Sequence, residues 1–532
     1  MRIVLTTALA QTAAELGIDV EDEIHLEQPA RRDHGDFSSN IALTSAKKAG
    51  VAPRVLAQQM LDVLNRDLPE HVTSVEIAGP GFLNFRLDDA WLQELIPQVL
   101  AAGDSYGRSA TGNGQRVLIE FVSSNPTGPV HAGHARGAVF GDSLGRLLSY
   151  TGYQVEREFY INDRGVQMQT FAASLTARKV GSELPEGGYN GQYIIDWAAQ
   201  MPEEADALVW GEQRALDDAR TVLERLNVHF DTWFSERSMV EQGAIPTTLS
   251  DLRERGVVED SDGAIWLRST DYGDDKDRVL VKSDGEFTYL LPDIAYHRDK
   301  FARGFDLLIN VWGADHHGYV ARMKAAVQSL GHDPADVEVI ISQLVRLEKE
   351  GEEVKISKRS GNLITLEDLL DDVGVDAVRL TYLLQSVDSP QTVDLDLIVA
   401  QSNENPVFYV QMANARIHSI GRVAKERGIP RQAAADVDLG LLTHDRELEI
   451  LRALYLLPEV VELAARDRAP HKVTTWVREL AAAVHGFYHD CPILSDDTPD
   501  ELRQARWQLA DAAGSGLRVG LDLLGVSAPE QM

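Results

Sequence analysis

Two histidines separated by two small residues, His131 and His134, have a spacing that suggests chemistry. They follow the apolar run Val117–Phe121 and a Pro/Gly-rich turn, and they open a helical pattern that reaches Tyr150. The imidazoles share one helix face, and backbone amides at a helix start favour phosphate. Both rings can donate to a phosphate as charge develops on it, and Gly133 lets a nucleotide approach closely. In isolation the pattern also fits a surface pair or a metal pair.

A second candidate is the basic octapeptide 355–362, which reads Lys-Ile-Ser-Lys-Arg-Ser-Gly-Asn and carries three cations within five residues. Such a loop can close on a triphosphate and balance the charge of leaving pyrophosphate. A lone charge cluster of this kind is more often a solvated turn. Here it follows the last apolar run of an α/β pattern, where a phosphate-closing loop is needed.

Four apolar runs must position these motifs, and they alternate with helical or loop segments: Val117–Phe121, Val155–Ile161, Phe305–Trp312 and Val337–Leu344. This alternation predicts a parallel α/β sheet. Ligands of such sheets bind at the carboxyl edge. We therefore expect the histidine pair at the carboxyl end of the first of these strands.

Composition shifts divide the chain into three predicted domains. Residues 1–105 combine helical patterns with a strand-like segment, Ser74–Leu87, and end in a glycine-rich connector. Residues 106–400 carry the α/β pattern, with a Gly/Pro-rich, acidic insertion at about 180–285. Residues 401–532 have helical spacing almost throughout, which predicts an all-α domain.

The composition restricts the class of protein. With 51 basic and 83 acidic side chains the net charge is -32, which repels polyanions at long range. A total says nothing about local patches, and a basic stretch runs from Arg416 to Arg431. The single cysteine, Cys491, excludes an intramolecular disulfide framework and a zinc site built on several thiolates. No run approaches the roughly 20 apolar residues of a membrane span, so we expect a cytoplasmic protein with no membrane partner.

Together the two motifs resemble the HIGH and KMSKS signatures of class I aminoacyl-tRNA synthetases. Four further segments resemble the arginyl-tRNA synthetase family: Gly35–Asn40, Ile119–Val130, Tyr289–Ile294 and Gly520–Gly525. The similarity runs nearly from end to end. Two departures are visible: Ile356 replaces a methionine, an apolar exchange that should be tolerated, and Lys358 is kept where the family often lacks a lysine.

The resemblance implies a Rossmann-like catalytic domain, an α+β N-terminal domain that contacts tRNA, and an all-α anticodon-binding domain. It implies ATP-dependent activation of L-arginine to arginyl-adenylate, followed by transfer to the 3′ end of tRNA(Arg). Mg²⁺ would accompany ATP, and we expect no protein-bound structural metal. We also expect a monomer.

The resemblance also implies residue roles. The catalytic residues would be His131, His134, Lys355 and Lys358, with ATP also contacting Pro129, Gly133 and Ser357. Because a guanidinium is planar and always charged, its pocket should offer carboxylates and other acceptors. The arginine-binding candidates are Glu120, Ser123, Asn125, Tyr289, Asp293, Asp315 and His317. An alternative for Glu120 and Asp293 is an ordinary structural ion pair.

In the helical domain, Phe408, Tyr409, Gln411 and Arg416 could stack on and hydrogen-bond unpaired bases of tRNA. The same spacing suits Phe408 and Tyr409 as core residues.

Two other functions remain open at this stage. A class I synthetase for glutamine, glutamate or cysteine shares both signatures, but it would not need acceptors at 120, 289 and 293. A non-catalytic RNA-binding relative would have lost activation, and the two intact signatures count against it.

Overall fold

The computed structural model describes residues 1–20, 24–29, 31–354 and 364–532, and these form two compact units. One unit comprises residues 1–103, 420–455 and 483–513. The other comprises residues 104–419, 456–482 and 514–532. The C-terminal helical region thus supplies segments to both units. Lys355, Ser357 and Lys358 of the basic motif lie outside the described residues.

The N-terminal region combines five helices with four strands within its described residues. These are α1 (Arg2–Glu15), β1 (Leu26–Glu27), β2 (Phe37–Ser39), α2 (Ile41–Ala49), α3 (Pro53–Leu64), β3 (Val72–Ala78), β4 (Phe82–Leu87), α4 (Ala90–Gln93) and α5 (Leu95–Ala102). The strands form an antiparallel sheet in the order β1-β2-β4-β3. The predicted strand-like segment is therefore a hairpin, and its Gly-Pro-Gly sequence forms the turn. Apolar side chains of α1 and α3, including Leu5, Leu9 and Met60, are fully buried.

The middle of the chain has the alternating strands and helices of an α/β domain. Its strands are β5 (Arg116–Glu120), β6 (Gln154–Ile161), β7 (Thr232–Ser235), β8 (Val258–Ser261), β9 (Ala264–Leu267), β10 (Arg278–Val281), β11 (Leu307–Gly313), β12 (Val337–Ser342), β13 (Val345–Lys349), β14 (Glu352–Glu353) and β15 (Gln391–Asp394). Its helices are α6 (Ala135–Tyr150), α7 (Val166–Val180), α8 (Gln192–Gln200), α9 (Ala207–Arg225), α10 (Glu236–Glu241), α11 (Ala244–Glu254), α12 (Leu290–Ala302), α13 (Val320–Ser329), α14 (Leu366–Val373), α15 (Val375–Tyr382) and α16 (Leu395–Val399).

The central sheet is parallel, with the strand order β12-β11-β5-β6-β7 among the described residues. All four apolar runs that predicted strands form β5, β6, β11 and β12. Most residues of β5 and β11 are buried, because helices cover such sheets on both faces, while β6 and β12 are only partly buried. On one face α6 comes so close to the end of β5 that a Cβ on Gly141 would lie 2.3 Å from the Phe121 ring.

The predicted insertion at 180–285 needs a correction, because β7 lies inside it and belongs to the central sheet. Thr232–Ser235 pairs in parallel with Glu158–Ile161 of β6. The additional structure therefore falls on either side of β7: helices α8 and α9 precede it, and the antiparallel sheet β10-β9-β8 follows it. β7 escaped detection because four residues between two helical patterns carry little periodicity.

The C-terminal region is helical, as predicted. Its helices are α17 (Pro406–Glu426), α18 (Asp445–Arg466), α19 (His471–Asp490) and α20 (Asp500–Leu524). In the described parts of the chain, no helix has the length and apolar character that crossing a membrane requires.

Candidate active site

The turn after β5 is strained. Glu120 ends the strand and is buried, while Val122 and Ser123 have φ angles of +69° and +43°. A β-branched residue rarely adopts this left-handed conformation, and the cost is of order 1–3 kcal/mol per residue. The turn brings Ser123 Oγ back to donate to Glu120 Oε1 at 2.9 Å. The same hydroxyl accepts the Tyr160 N–H at 3.2 Å, so β6 helps to hold the turn.

The histidine pair lies at the start of α6, where the sequence predicts it. His131 Nδ1 accepts the Gly133 N–H at 2.9 Å, so in a neutral ring the proton is on Nε2. A Cβ on Gly133 would lie 2.9 Å from that Nδ1 atom. Gly133 is therefore required for the position of the His131 ring. His134 is the N-cap residue of α6.

The residues that follow the basic motif are hydrogen-bonded to the histidine segment. The Ala132 N–H donates to Ile364 O at 3.1 Å, and the Leu366 N–H donates to Val130 O at 2.7 Å. Thr365 lies between these bonds and caps α14 through a reciprocal capping box. The C-terminal flank of the basic motif is thus anchored beside the histidines.

Asp293, the second carboxyl predicted to bind arginine, lies in the first turn of α12. Its Oδ2 accepts the Tyr319 hydroxyl at 2.6 Å, and Oδ1 has no hydrogen-bond partner among the described residues. Desolvation raises the pKa of the Asp293 carboxyl to about 7, and the negative charges of Glu120 and Glu236 add to this shift. One carboxyl oxygen is therefore available to a ligand with a matching donor.

Glu120 forms an ion pair with Lys300, as the structural alternative for this residue predicts. Asp293 forms no ion pair among the described residues. The Lys300 ammonium is fully buried, 2.6 Å from Glu120 Oε2. It also donates to Asn310 Oδ1 at 3.0 Å and lies 4.1 Å from the centre of the Tyr296 ring. These contacts fix the Glu120 carboxylate between β5, β11 and α12.

His297 completes the buried network. Its Nδ1 donates to Asp293 O at 2.8 Å, and its Nε2 accepts the Asn310 side-chain amide at 3.1 Å. Burial lowers the pKa of His297 to about 3, and the nearby Lys300 charge acts in the same direction. The ring is therefore neutral and held in place. It links the Asp293 carbonyl to the Asn310 side chain, which in turn accepts from Lys300.

The other predicted arginine-binding residues lie nearer the protein surface than Glu120 and Asp293. Tyr289 is 88% exposed, and Asp315 and His317 are exposed in the turn before α13. The Asn125 amide donates to Gln167 Oε1 of α7. The structure thus brings Glu120, Ser123 and Asp293 together, and it leaves Tyr289, Asp315 and His317 at the surface.

Sequence reasoning missed four residues that hydrogen-bond within this site: Lys300, His297, Asn310 and Tyr319. Lys300 lies two helical turns after Asp293 on α12, a spacing that places both on one face. That spacing was a usable signal for Lys300. Asn310 and Tyr319 carried no comparable signal, because strand registry and a turn bring them to the site.

Of the predicted tRNA-binding residues, Gln411 is buried. Its amide donates to Asp376 Oδ2 at 2.8 Å and to Ser527 O at 3.1 Å. Phe408, Tyr409 and Arg416 are half-buried on the same helix, α17. Among the described residues, no group of three or more His, Cys, Asp or Glu side chains could hold a metal ion.

The class of protein follows from a parallel sheet with a His-x-x-His motif at the helix after its central strand, and from a segment just after the basic motif that is hydrogen-bonded to that helix start: these are features of a class I aminoacyl-tRNA synthetase. Residues 4–87 match the family described as Arginyl tRNA synthetase N terminal domain. Residues 95–185 and 202–399 match tRNA synthetases class I (R), catalytic domain. Residues 410–532 match the DALR anticodon binding domain. The chain belongs to the arginyl-tRNA synthetase family.

Individual relatives agree with this assignment. The arginine–tRNA ligase of Bacillus subtilis (strain 168) is 45% identical over 554 residues, covering 100% of this chain and 99% of the relative. That of Geobacillus thermodenitrificans is 46% identical over 555 residues, with the same coverage. A solved arginyl tRNA synthetase from Campylobacter jejuni superimposes with a TM-score of 0.77 at 34% identity, covering 84% of this chain and 100% of that one. The Thermus thermophilus arginyl-tRNA synthetase structure shares the fold at 23% identity, with a TM-score of 0.78 and full coverage of both chains.

Proposed function

We propose that this arginine–tRNA ligase binds L-arginine between Glu120 and Asp293 and activates it with ATP beside the histidine pair. The arginyl group then passes to the 3′ end of tRNA(Arg). The observation that carries the proposal is the open Oδ1 of Asp293 next to the buried, fixed carboxylate of Glu120. A planar cation with several N–H donors is the ligand that such a pair of carboxyls recognises.

Arginine would be held at both ends. Asp293 and Glu120 would accept from the guanidinium, with Tyr289, Asp315 and His317 closing the entrance once substrate is bound. Ser123 and Asn125 would hold the amino and carboxylate groups, because their turn lies between the pocket and the histidines. Binding the guanidinium end would then place the reactive carboxylate near ATP, which converts binding energy into orientation.

In the activation step, an oxygen of the arginine carboxylate attacks the α-phosphorus of ATP, and the bond to pyrophosphate breaks. His131 and His134 would donate to the oxygens of that phosphate as charge develops on them. Pro129 and Gly133 would contact the nucleotide. Lys355, Ser357 and Lys358 would act on the β and γ phosphates, together with the Mg²⁺ that accompanies ATP.

The other regions would bind tRNA. We assign to residues 1–105 the binding of the elbow of tRNA(Arg), to residues 106–400 the catalytic function, and to residues 401–532 the binding of the anticodon stem and loop. Phe408, Tyr409 and Arg416 would contact bases, while Gln411 would support them through its bonds to Asp376 and Ser527. A monomer in the cytoplasm is our working assignment for the state in which the enzyme acts.

Substrate identity can be tested by ATP–pyrophosphate exchange in the presence of total tRNA. Arginine should support exchange, and citrulline, which is neutral but nearly isosteric, should be poorer by about 10⁴-fold because it leaves carboxyl oxygens unpaired. Lysine should also be poor, because an ammonium cannot make the planar two-pronged bond. Preference for glutamine, glutamate or cysteine would contradict the proposal.

The basic motif can be tested with Lys358→Ala. We expect a loss of about 3–4 kcal/mol in transition-state stabilisation, mostly in kcat, because the lysine acts on charge that develops during reaction. Lys349→Ala, on β13 upstream, is a matched control, because its ammonium lies 3.9 Å from Asp372 at the surface. If kcat for Lys358→Ala stays within about threefold of the control, this role is wrong. Since Lys355 could compensate in part, the double variant should be measured too.

A further inference from the structure

The Asp293 carboxyl has two further carboxyl groups near it, those of Glu120 and Glu236. Glu120 lies at the end of β5, Glu236 at the start of α10, and Asp293 at the start of α12. The charges of Glu120 and Glu236 both act on the Asp293 carboxyl. Three desolvated negative charges in one pocket would repel one another, so the protein must neutralise most of them.

Two of these carboxyls have a cation of their own. Lys300 Nζ is 2.6 Å from Glu120, and Arg164 Nη1 is 3.5 Å from Glu236. Lys300 has three N–H donors, and its surroundings account for them: Glu120, Asn310 and the face of Tyr296. No donor of Lys300 is left for a substrate, so its effect on arginine must pass through Glu120 and through the charge of the pocket.

The remaining groups around Asp293 do not supply a compensating charge. His297 is neutral, and burial raises the pKa of both Tyr160 and Tyr319, so neither phenol ionises in the physiological range. The two nearby guanidiniums lie around Tyr319: Arg322 stacks 4.8 Å from its ring centre, and Arg278 is paired with Asp274. Asp293 therefore carries the one carboxyl of the three without a cation of its own among the described residues.

We propose that Lys300 is a positioning residue that sets the charge of the arginine pocket, so that Asp293 exchanges its proton for the guanidinium of arginine. The inference rests on the arginine site proposed above. On binding, the O–H bond of the Asp293 carboxyl breaks and the proton leaves to solvent. The carboxylate then pairs with the guanidinium, and no electron is transferred.

The charges predict how variants behave. The Lys300 ammonium favours ionised Asp293, while the Glu120 carboxylate opposes it. Lys300→Met should therefore move proton release to higher pH, and Glu120→Gln should move it to lower pH. The double variant removes one charge of each sign, so its proton release should lie near that of the wild type.

The test is calorimetric titration of arginine into the full chain with bound tRNA, in buffers of different protonation enthalpy between pH 6 and 8.5. With a pKa of about 7 for Asp293, wild type should release well over half a proton per arginine at pH 6.5, and little at pH 8.5. Asp293→Asn should release none at either pH. Lys349→Met, which changes a lysine outside the pocket, should behave as wild type.

The outcomes separate the two proposals. If Asp293→Asn and Glu120→Gln bind arginine as tightly as wild type, the arginine site itself is misassigned. If they bind it weakly but wild type releases no proton, or if Lys300→Met titrates as wild type, only the charge-setting role is overturned. Should Lys300→Met fail to fold, Glu120→Gln and the double variant decide. A double variant that titrates like Glu120→Gln alone would show that Lys300 sets no charge.

Discussion

Lys300 with Glu120 and Arg379 with Asp142 are two buried cation–carboxylate pairs of the same unit, each with an N–O distance of 2.6 Å. Arg379, on α15, is completely surrounded by protein acceptors: Leu226 O, Asn227 O, Leu524 O and the Asp142 carboxylate. The Lys300 pair instead lies beside Asp293, which keeps an acceptor open. A buried pair alone says little about function, and the unsatisfied acceptor beside one of them is the feature on which the proposed arginine site rests.

The comparison predicts that the Arg379 pair serves stability. Arg379→Met should lower the free energy of unfolding by about 3 kcal/mol, because it removes the shortest ion pair of the buried Asp142 carboxylate and leaves three backbone carbonyls without their donor. Asp142 would keep Arg146 at 2.8 Å and Arg157 at 3.7 Å, so its charge is not left unpaired. Denaturant unfolding monitored by tryptophan fluorescence measures this. The folded fraction should keep its KM for arginine within about threefold. A large rise in that KM would mean that the two pairs are not functionally distinct.

Asp293→Asn should have the opposite profile. It keeps the shape of the side chain but removes the charge that faces arginine. We therefore expect kcat/KM for arginine to fall roughly a hundredfold or more, which corresponds to a loss of about 3 kcal/mol in transition-state stabilisation. The KM for ATP should change little. Asp142→Asn is the matched control: it should lose stability and keep kcat/KM. Unchanged arginine kinetics in Asp293→Asn would remove this residue from the pocket.

The same carboxyl predicts a pH dependence of stability. Its folded pKa, about 7, lies above the ordinary aspartate pKa of 3.8, so the native state binds the proton more tightly than the unfolded state. The ligand-free protein should therefore lose about 2 kcal/mol of stability between pH 4 and 8 from this group, after allowance for solvent screening. Thermal unfolding of wild type and Asp293→Asn across this range measures the difference. Parallel pH curves would contradict the assignment.

The smallest effects are expected on α6, which carries Asp142 of one ion pair and packs against Phe121, next to Glu120 of the other. Gly141→Ala places a Cβ 2.3 Å from the Phe121 ring, next to Glu120, and should cost about 1–2 kcal/mol through overpacking. Gly137→Ala on the same helix meets nothing within 4 Å and should stabilise by about 0.5–1 kcal/mol. Equal unfolding midpoints for the two variants would show that the α6–β5 contact is not tight.

Much of this architecture follows from the sequence. Apolar runs predict β5, β6, β11 and β12. The run is clearest in β5 and β11, because strands covered on both faces leave no polar side. The short β7 carries no such pattern. The site residues likewise include some that the sequence indicates and some that it does not. Residue types and a family resemblance indicate Glu120, Ser123 and Asp293, all close to a strand end or helix start.

Partners that arrive through tertiary packing are harder to predict. Helical spacing from Asp293 places Lys300 on the face of α12 that carries the site, but it does not say that the Lys300 ammonium meets Glu120. Nor does the sequence say that the Gln411 amide is turned inward to Asp376 and Ser527. Helical spacing gives a residue's face, but which neighbour covers that face depends on how distant segments pack.

The backbone bonds between the Val130–Ala132 segment and the Ile364–Leu366 segment have a consequence for folding. These two segments are roughly 230 residues apart in sequence, so we expect their bonds to form after the strands between them have paired. Helix content can return early during refolding, because helices depend on local contacts. Catalytic competence is a late event, and during synthesis it must wait until the ribosome has released the segment beyond residue 366.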